Sequence, residues 1–169
     1  MRPAVRKAAL VAHVCTSVGW FGAVVAFLAL AAIAWGSRDE AMVRAGYLAM
    51  DVTAWYAIVP LAVASLATGL LSSLGTAWGL VRYWWVLMKL MLTVAATAVL
   101  LAQLAPIGIL AAAAGDGDVA CAECPSIALS MVVHASGGLL VLLATAVLAI
   151  YKPRGLTRYG ARRTTAKAH

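Results

Sequence analysis

The stretch that decides the fold is residues 8–35, AALVAHVCTSVGWFGAVVAFLALAAIAW, which contains no Asp, Glu, Lys or Arg. A helix needs roughly 20 apolar residues to cross the hydrocarbon core of a bilayer, and this run exceeds that length. It is also about twice as long as the apolar region of a cleaved signal peptide. Because it is rich in Ala and Leu and lacks an apolar–polar alternation, it predicts a retained membrane-spanning helix.

Three further apolar stretches follow along the chain. The predicted spans cover about residues 8–35, 52–74, 83–114 and 126–151. Of the 169 residues, 64% are hydrophobic and 11% are charged, whereas about a quarter of the residues in a soluble domain are charged. The sequence therefore predicts an all-α, polytopic membrane four-helix bundle in residues 1–151 and a basic cytoplasmic tail in residues 152–169.

The placement of basic residues predicts the orientation. The connection after the first span carries Arg38 and Arg44, offset by Asp39 and Glu40, and the last connection carries acids alone. Since cytoplasmic loops have an excess of Lys and Arg, both termini are predicted to be cytoplasmic, in an up-down-up-down bundle of the plasma membrane. The bases predicted to face the cytoplasm are Arg2, Arg6, Lys7, Arg82, Lys152, Arg154, Arg158, Arg162, Arg163 and Lys167.

The net charge of +7 comes from basic residues at the chain ends and between the apolar stretches, as in a membrane protein, and it does not indicate nucleic acid as a partner. The expected partners are the bilayer with its anionic headgroups and either further copies of this chain or another membrane subunit. Close packing of helices in lipid depends on small residues. The chain supplies them at Gly19, Gly22, Ser65, Thr68, Gly69, Ser72, Ser73, Ser136, Gly137 and Gly138.

Ionisable residues inside a span are costly and often functional, and His13, Lys89 and His134 are of this kind. From the helical rise, His13 lies roughly 8 Å and Lys89 roughly 9 Å from the cytoplasmic ends of their spans. Thr68 and Gly69 of the second span come out at a similar level. These four residues predict a cofactor site in the inner leaflet. The alternative is that Lys89 snorkels to the interface while His13 bonds a backbone carbonyl.

His134 lies roughly 12 Å below the outer end of the fourth span, at the rise of a helix. It is therefore about 15 Å from the level of His13, so the two histidines cannot share one metal ion. Each is a separate candidate metal ligand. A hydrogen-bonded, packed side chain is the simpler interpretation of His134.

The last predicted loop contains Cys121-Ala-Glu-Cys124-Pro125. A close cysteine pair outside the cytoplasm is a disulfide candidate, and the same spacing occurs in thiol–disulfide exchange. A metal clamp and a quinone-linked redox pair are further alternatives. Met131 and His134 are spaced i,i+3 on the fourth helix, and with the two cysteines they would form a soft ligand set for Cu(I).

Short motifs resemble known families. Residues 7–13, KAALVAH, continuing to residues 19–22, GWFG, resemble the first helix of CopD-like and HemJ-like membrane proteins. Residues 84–90, WWVLMKL, resemble their helix with a tryptophan and an embedded lysine, and Thr68-Gly69 resembles a Thr-Gly element of the CopD-like group. The segment from His134 to Gly155 resembles a further subgroup of small four-helix bacterial proteins.

This resemblance implies roles for two residues. HemJ-like proteins are protoporphyrinogen oxidases considered to bind haem b through the first-helix histidine, and CopD-like proteins are linked to copper uptake. If these family roles are transferred to the matching positions of this chain, His13 is the haem ligand. Lys89 is then a pocket residue that pairs with a haem propionate or an anionic substrate. The chain departs from the HemJ pattern, because it lacks further histidines at the helix ends and carries an outer CxxC.

The sequence is compatible with three functions. The first is a haem-binding, redox-related protein that uses the inner layer. The second is a copper-handling protein that uses the outer Cys, Met and His residues, and the third is a non-catalytic accessory or assembly protein. No sequence motif assigns an enzyme class. Asp51, at the outer mouth of the second span, is predicted to be a helix N-cap.

Overall fold

The computed structural model describes residues 2–74 and 83–151, together with residues 155 and 157. Four long helices make up almost all of this part of the chain, and each is long and apolar enough to cross a membrane. The prediction of an all-α fold with four such helices is confirmed. They are α1 (Pro3–Gly36), α2 (Glu40–Leu74), α3 (Trp84–Asp116) and α4 (Cys124–Tyr151). The connection containing Arg82 and nearly all of the basic tail lie outside the described residues.

The apolar residues of these helices mostly face outward. In the most apolar part of each helix, between 17% and 28% of the residues are buried inside the bundle. Large side chains such as Val18 and Leu140, each 67% exposed, lie on the outer surface. Water-soluble monomers rarely expose apolar patches of this extent. The surface is therefore the kind that a multi-pass membrane protein presents to lipid.

Helix α2 begins well before the apolar stretch that marks the second span in the sequence. The Ala41 N–H donates to the Asp39 carboxylate at 3.0 Å, so Asp39 is the N-cap. Asp51 lies inside the helix, and its predicted role as N-cap is wrong. The reason is that hydropathy reports contact with lipid, whereas the charged residues ahead of Val52 still form helical turns.

Pro60 lies in the middle of α2, and the helix adapts just before it. A proline inside a helix cannot donate a backbone hydrogen bond, and its ring clashes with the carbonyl four residues earlier. The preceding segment, Ala54–Ile58, is π-helical, and the Val59 N–H donates to the Ala54 carbonyl five residues back. This wider turn keeps the neighbouring backbone groups hydrogen-bonded, as a lipid environment requires.

Helices α1 and α2 are in close contact along most of their length. A Cβ on Gly46 would lie 2.8 Å from the Ala34 Cβ, and a Cβ on Gly19 would lie 3.3 Å from Leu61. Early residues of α1 thus meet late residues of α2, so the two helices run in opposite directions. Among the small residues predicted at helix contacts, a Cβ would meet no neighbouring atom within 4 Å at Gly22, Gly137 and Gly138.

The core is built from all four helices. Helix α1 packs against α2 and α4, and α3 packs against the same two helices. The largest fully buried side chains are Met50, Ile107, Leu110, Met131 and Cys124. Helix α3 ends at Asp116 and is capped by Gly117, whose φ of 80° is a left-handed conformation that favours glycine. The loop that follows leads directly into the cysteine pair at the start of α4.

Candidate functional site

The His13 imidazole is packed between α1 and α2, in the first third of α1. Its Nδ1 lies 3.1 Å from the Ser65 carbonyl oxygen and 3.3 Å from Thr68 Oγ1. A Cβ on Gly69 would lie 3.0 Å from His13 Cε1, so the ring rests against bare backbone. The structure thus brings together His13, Thr68 and Gly69, which the sequence places at one level by helical rise alone.

The hydrogen-bond partners determine which ring nitrogen of His13 carries the proton. The Ser65 carbonyl can only accept, so Nδ1–H is the donor. Thr68 Oγ1 donates to the Ala64 carbonyl, which leaves its lone pairs free to accept from Nδ1. A neutral ring protonated at Nδ1 carries its free lone pair on Nε2. Within the described part of the chain, Nε2 has no hydrogen-bond partner.

Further hydroxyl groups extend this polar layer. Ser17 Oγ lies 2.8 Å from Ser65 Oγ, and Thr16 Oγ1 lies 3.4 Å from Thr68 Oγ1. Ser72 Oγ is buried and has no partner among the described residues. Thr16 and Ser17 follow His13 at i+3 and i+4 on α1, and Ser65, Thr68 and Ser72 are spaced i,i+3 or i,i+4 on α2, which marks one face of each helix. That spacing is the signal by which Ser17 and Ser65, not predicted as site residues, could have been found.

Lys89 of α3 completes the layer. Its side chain is partly buried, and it is near enough for its charge to act on the His13 ring. No residue in ranges 2–74 and 83–151 forms an ion pair or hydrogen bond with its ammonium group. An ammonium group without an anion is costly in a medium of low dielectric constant. Among the described residues, the layer therefore contains a lysine without an anionic partner, together with a histidine whose Nε2 has no hydrogen-bond partner.

This arrangement is suited to a ligand that is both metal-bearing and acidic. Histidines that bind metals commonly donate their second ring N–H to a carbonyl or carboxylate, as His13 does toward Ser65. Among the described residues, no three His, Cys, Asp or Glu side chains lie close enough together to hold a metal ion. A porphyrin needs one protein ligand on a face, because the macrocycle supplies the equatorial nitrogens.

The cysteine pair lies far from this layer, where α1 ends and α4 begins. Cys121 and Cys124 are joined by a disulfide. Cys124 is fully buried, whereas Cys121 is partly exposed. A pocket of about 210 Å³ lies beside the loop. Its lining includes Trp35, Arg38, Glu40, Tyr47, Ala120 and Pro125.

The residues predicted as Cu(I) ligands do not converge on one point. His134 is exposed on α4, where its Nδ1–H donates to the Ser130 carbonyl at 2.7 Å. Met131 is 1% exposed and points into the core. From Cys124 to His134 the helix rises about 15 Å, too far for one ion to bridge. In addition, the disulfide engages both Cys121 and Cys124, so the copper ligand set is not assembled.

Comparison of the chain with protein-family models, curated proteins and solved structures gives no match.

Proposed function

We propose that this protein is a multi-pass plasma-membrane protein that binds haem b and has a redox-related role, in which His13 would hold the iron. The hydrogen bonding of His13 carries the proposal. Its Nδ1–H is held by the Ser65 carbonyl and by Thr68 Oγ1, which leaves Nε2 with a lone pair and no partner among the described residues. A ring held in this way is oriented before the ligand binds, and its tautomer is the one that ligates iron.

The remaining residues of the layer support the same ligand. Lys89 would pair with a propionate, because it is partly buried and has no anion among the described residues. Gly69 leaves room for the His13 ring, and the Ser72 hydroxyl, which has no partner among the described residues, offers a further donor. Bound haem would supply one-electron exchange. The chain would hold and orient it and exclude competing ligands.

The family resemblance supports the same two residues. In the CopD-like and HemJ-like pattern the first-helix histidine corresponds to His13, and the embedded lysine corresponds to Lys89. Thr68-Gly69, which resembles the Thr-Gly element of the CopD-like group, contacts His13 directly. Three short motifs that are distant in sequence thus each contain a residue of the same layer.

The proposed orientation is up-down-up-down with both termini in the cytoplasm. The excess of Lys and Arg at the chain ends supports it. The His13 layer would then lie in the inner leaflet, and the disulfide loop would face outside. Alkaline phosphatase inserted at residues 37–39 should be active, and green fluorescent protein fused after residue 169 should fluoresce. If instead green fluorescent protein inserted at residues 37–39 fluoresces and alkaline phosphatase fused after residue 169 is active, the orientation is the opposite one.

The test of haem binding is the visible spectrum of the detergent-purified protein from cells supplied with haem precursor. We expect a Soret band and sharp bands in the reduced state. His13→Ala should abolish them, whereas His134→Ala, the matched histidine control, should keep them, because His134 lies on the outer surface of α4. Lys89→Met should keep the iron ligand and the band shape but lower the haem content.

A featureless spectrum of folded wild-type protein would exclude haem binding. The polar layer would then serve to hold α1 and α2 in register, as in an accessory or assembly protein. In that case, His13→Ala would change the stability of the bundle and no spectral property.

A further inference from the structure

The disulfide and its neighbouring pocket form a second candidate site, separate from the His13 layer. The Cys121–Cys124 pair lies at the start of α4, and Ala120 and Pro125, which flank the two cysteines, line the pocket. We propose that this disulfide is a thiol–disulfide exchange site that oxidises a dithiol of another protein. The pocket receives an apolar side chain that neighbours the reacting cysteine of that protein.

The two sulfurs differ in a way that assigns their roles. Of the two cysteines, Cys121 is the more accessible to an incoming thiolate, because it is partly exposed whereas Cys124 is fully buried and is shielded from attack. Cys124 is also the first residue of the 28-residue helix α4. The positive end of a helix dipole stabilises a thiolate and makes it a better leaving group. Cys121 is therefore the attacked sulfur and Cys124 the leaving one.

The reaction is an exchange that balances without a further oxidant. A thiolate of the partner attacks Cys121 Sγ, the Cys121–Cys124 bond breaks, and Cys124 leaves as a thiolate that takes up a proton. The partner's second thiolate then attacks its own sulfur in the mixed disulfide and releases Cys121. Two electrons pass from the partner to the cysteine pair, and the partner leaves with a disulfide.

The pocket supports a protein substrate in preference to a small thiol. Its volume of about 210 Å³ accommodates one large apolar side chain. Apolar surface from Val43, Val119 and Ala128 lines it, while Arg38 and Glu40 supply polar groups. A substrate side chain seated there would hold its neighbouring cysteine next to Cys121. The proposal is independent of haem, because no residue of the His13 layer lines the pocket.

The experiment uses the full-length Cys15→Ser variant in detergent, so that the pair supplies all of the protein's thiols. The probe is a reduced dithiol peptide with a leucine beside its first cysteine. After acid quenching, thiols are counted by maleimide mass tagging, and helix content is monitored by circular dichroism. We expect the folded protein to oxidise one equivalent of peptide about tenfold or more faster than oxidised glutathione does.

Two matched pairs of variants separate the parts of the proposal. With oxidised peptide, Cys124→Ala should form a mixed disulfide through Cys121, and Cys121→Ala should form none, because Cys124 is buried. Ala120→Trp should fill the pocket and lower the rate of peptide oxidation about tenfold. The rate of reaction with dithiothreitol, which needs no pocket, should not change. Ala112→Trp, on an exposed position of α3 that does not line the pocket, should change neither rate.

If the Cys121–Cys124 disulfide does not react with the peptide until the helices unfold, the proposal is overturned, and the disulfide is a structural crosslink. Equal rates for Ala120→Trp and Ala112→Trp would overturn the role of the pocket.

Discussion

The His13 ring and the Gly69 backbone are in direct contact, since a Cβ on Gly69 would lie 3.0 Å from His13 Cε1. Ser65 and Thr68, on the same helix as Gly69, hold Nδ1 of the ring from one side. The position of the imidazole is therefore determined by two acceptors and by the absence of a side chain at residue 69. Changes at these positions should affect the histidine before they affect the rest of the fold.

Gly69→Ala should strain this contact. The new Cβ requires the His13 ring to move by a few tenths of an ångström, which weakens its hydrogen bonds. We expect a free energy of unfolding about 1 kcal/mol lower than that of Gly22→Ala, and a lower haem content. Gly22 is the matched control, because it is also inside a helix and a Cβ there would meet no atom within 4 Å. Equal unfolding curves in a detergent titration would contradict the contact.

Ser17 and Ser65 should show a measurable coupling across the α1–α2 contact. Their hydroxyl oxygens are 2.8 Å apart, and such interhelical hydrogen bonds in membranes contribute about 0.6 kcal/mol. A double-mutant cycle with Ser17→Ala and Ser65→Ala should return a coupling energy of about this size. Ser136→Ala is the control, because Ser136 bonds its own helix at Val132, and its effect should add to that of Ser17→Ala.

The sequence predicts the part of the site that depends on regular helix geometry. The helical rise is constant, so counting from the ends of the spans places His13 level with Thr68 and Gly69, which the structure brings into contact. Side-chain direction is harder to predict in lipid, because helices that are apolar all round give little indication of which face is buried. Met131 and His134 are neighbours on one helix, yet the first is buried and the second is exposed.

The start of α2 could not be predicted from hydropathy, and the two candidate N-cap residues provide a test of where the helix begins. Asp39 accepts a hydrogen bond from the Ala41 N–H, whereas Asp51 lies within the helix. Asp39→Ala should lower the free energy of unfolding by about 1 kcal/mol. Asp51→Ala should change it by less than about 0.5 kcal/mol. The reverse order, measured by the same detergent titration, would mean that the helix begins near Val52.

Gly46 and Ala34 should be exchangeable only together. A Cβ on Gly46 would lie 2.8 Å from the Ala34 Cβ, so Gly46→Ala alone forces α1 and α2 apart, at a cost of about 1–3 kcal/mol. The next nearest atoms, the Ala34 Cα and the Leu30 carbonyl oxygen, are at 3.5 Å, which is ordinary contact. Adding Ala34→Gly removes the clash and should restore the unfolding midpoint, since one helix loses an alanine and the other gains one. Gly36→Ala, which meets no atom within 4 Å, should not need rescue. If the double variant is no more stable than Gly46→Ala alone, the two helices do not meet at these residues.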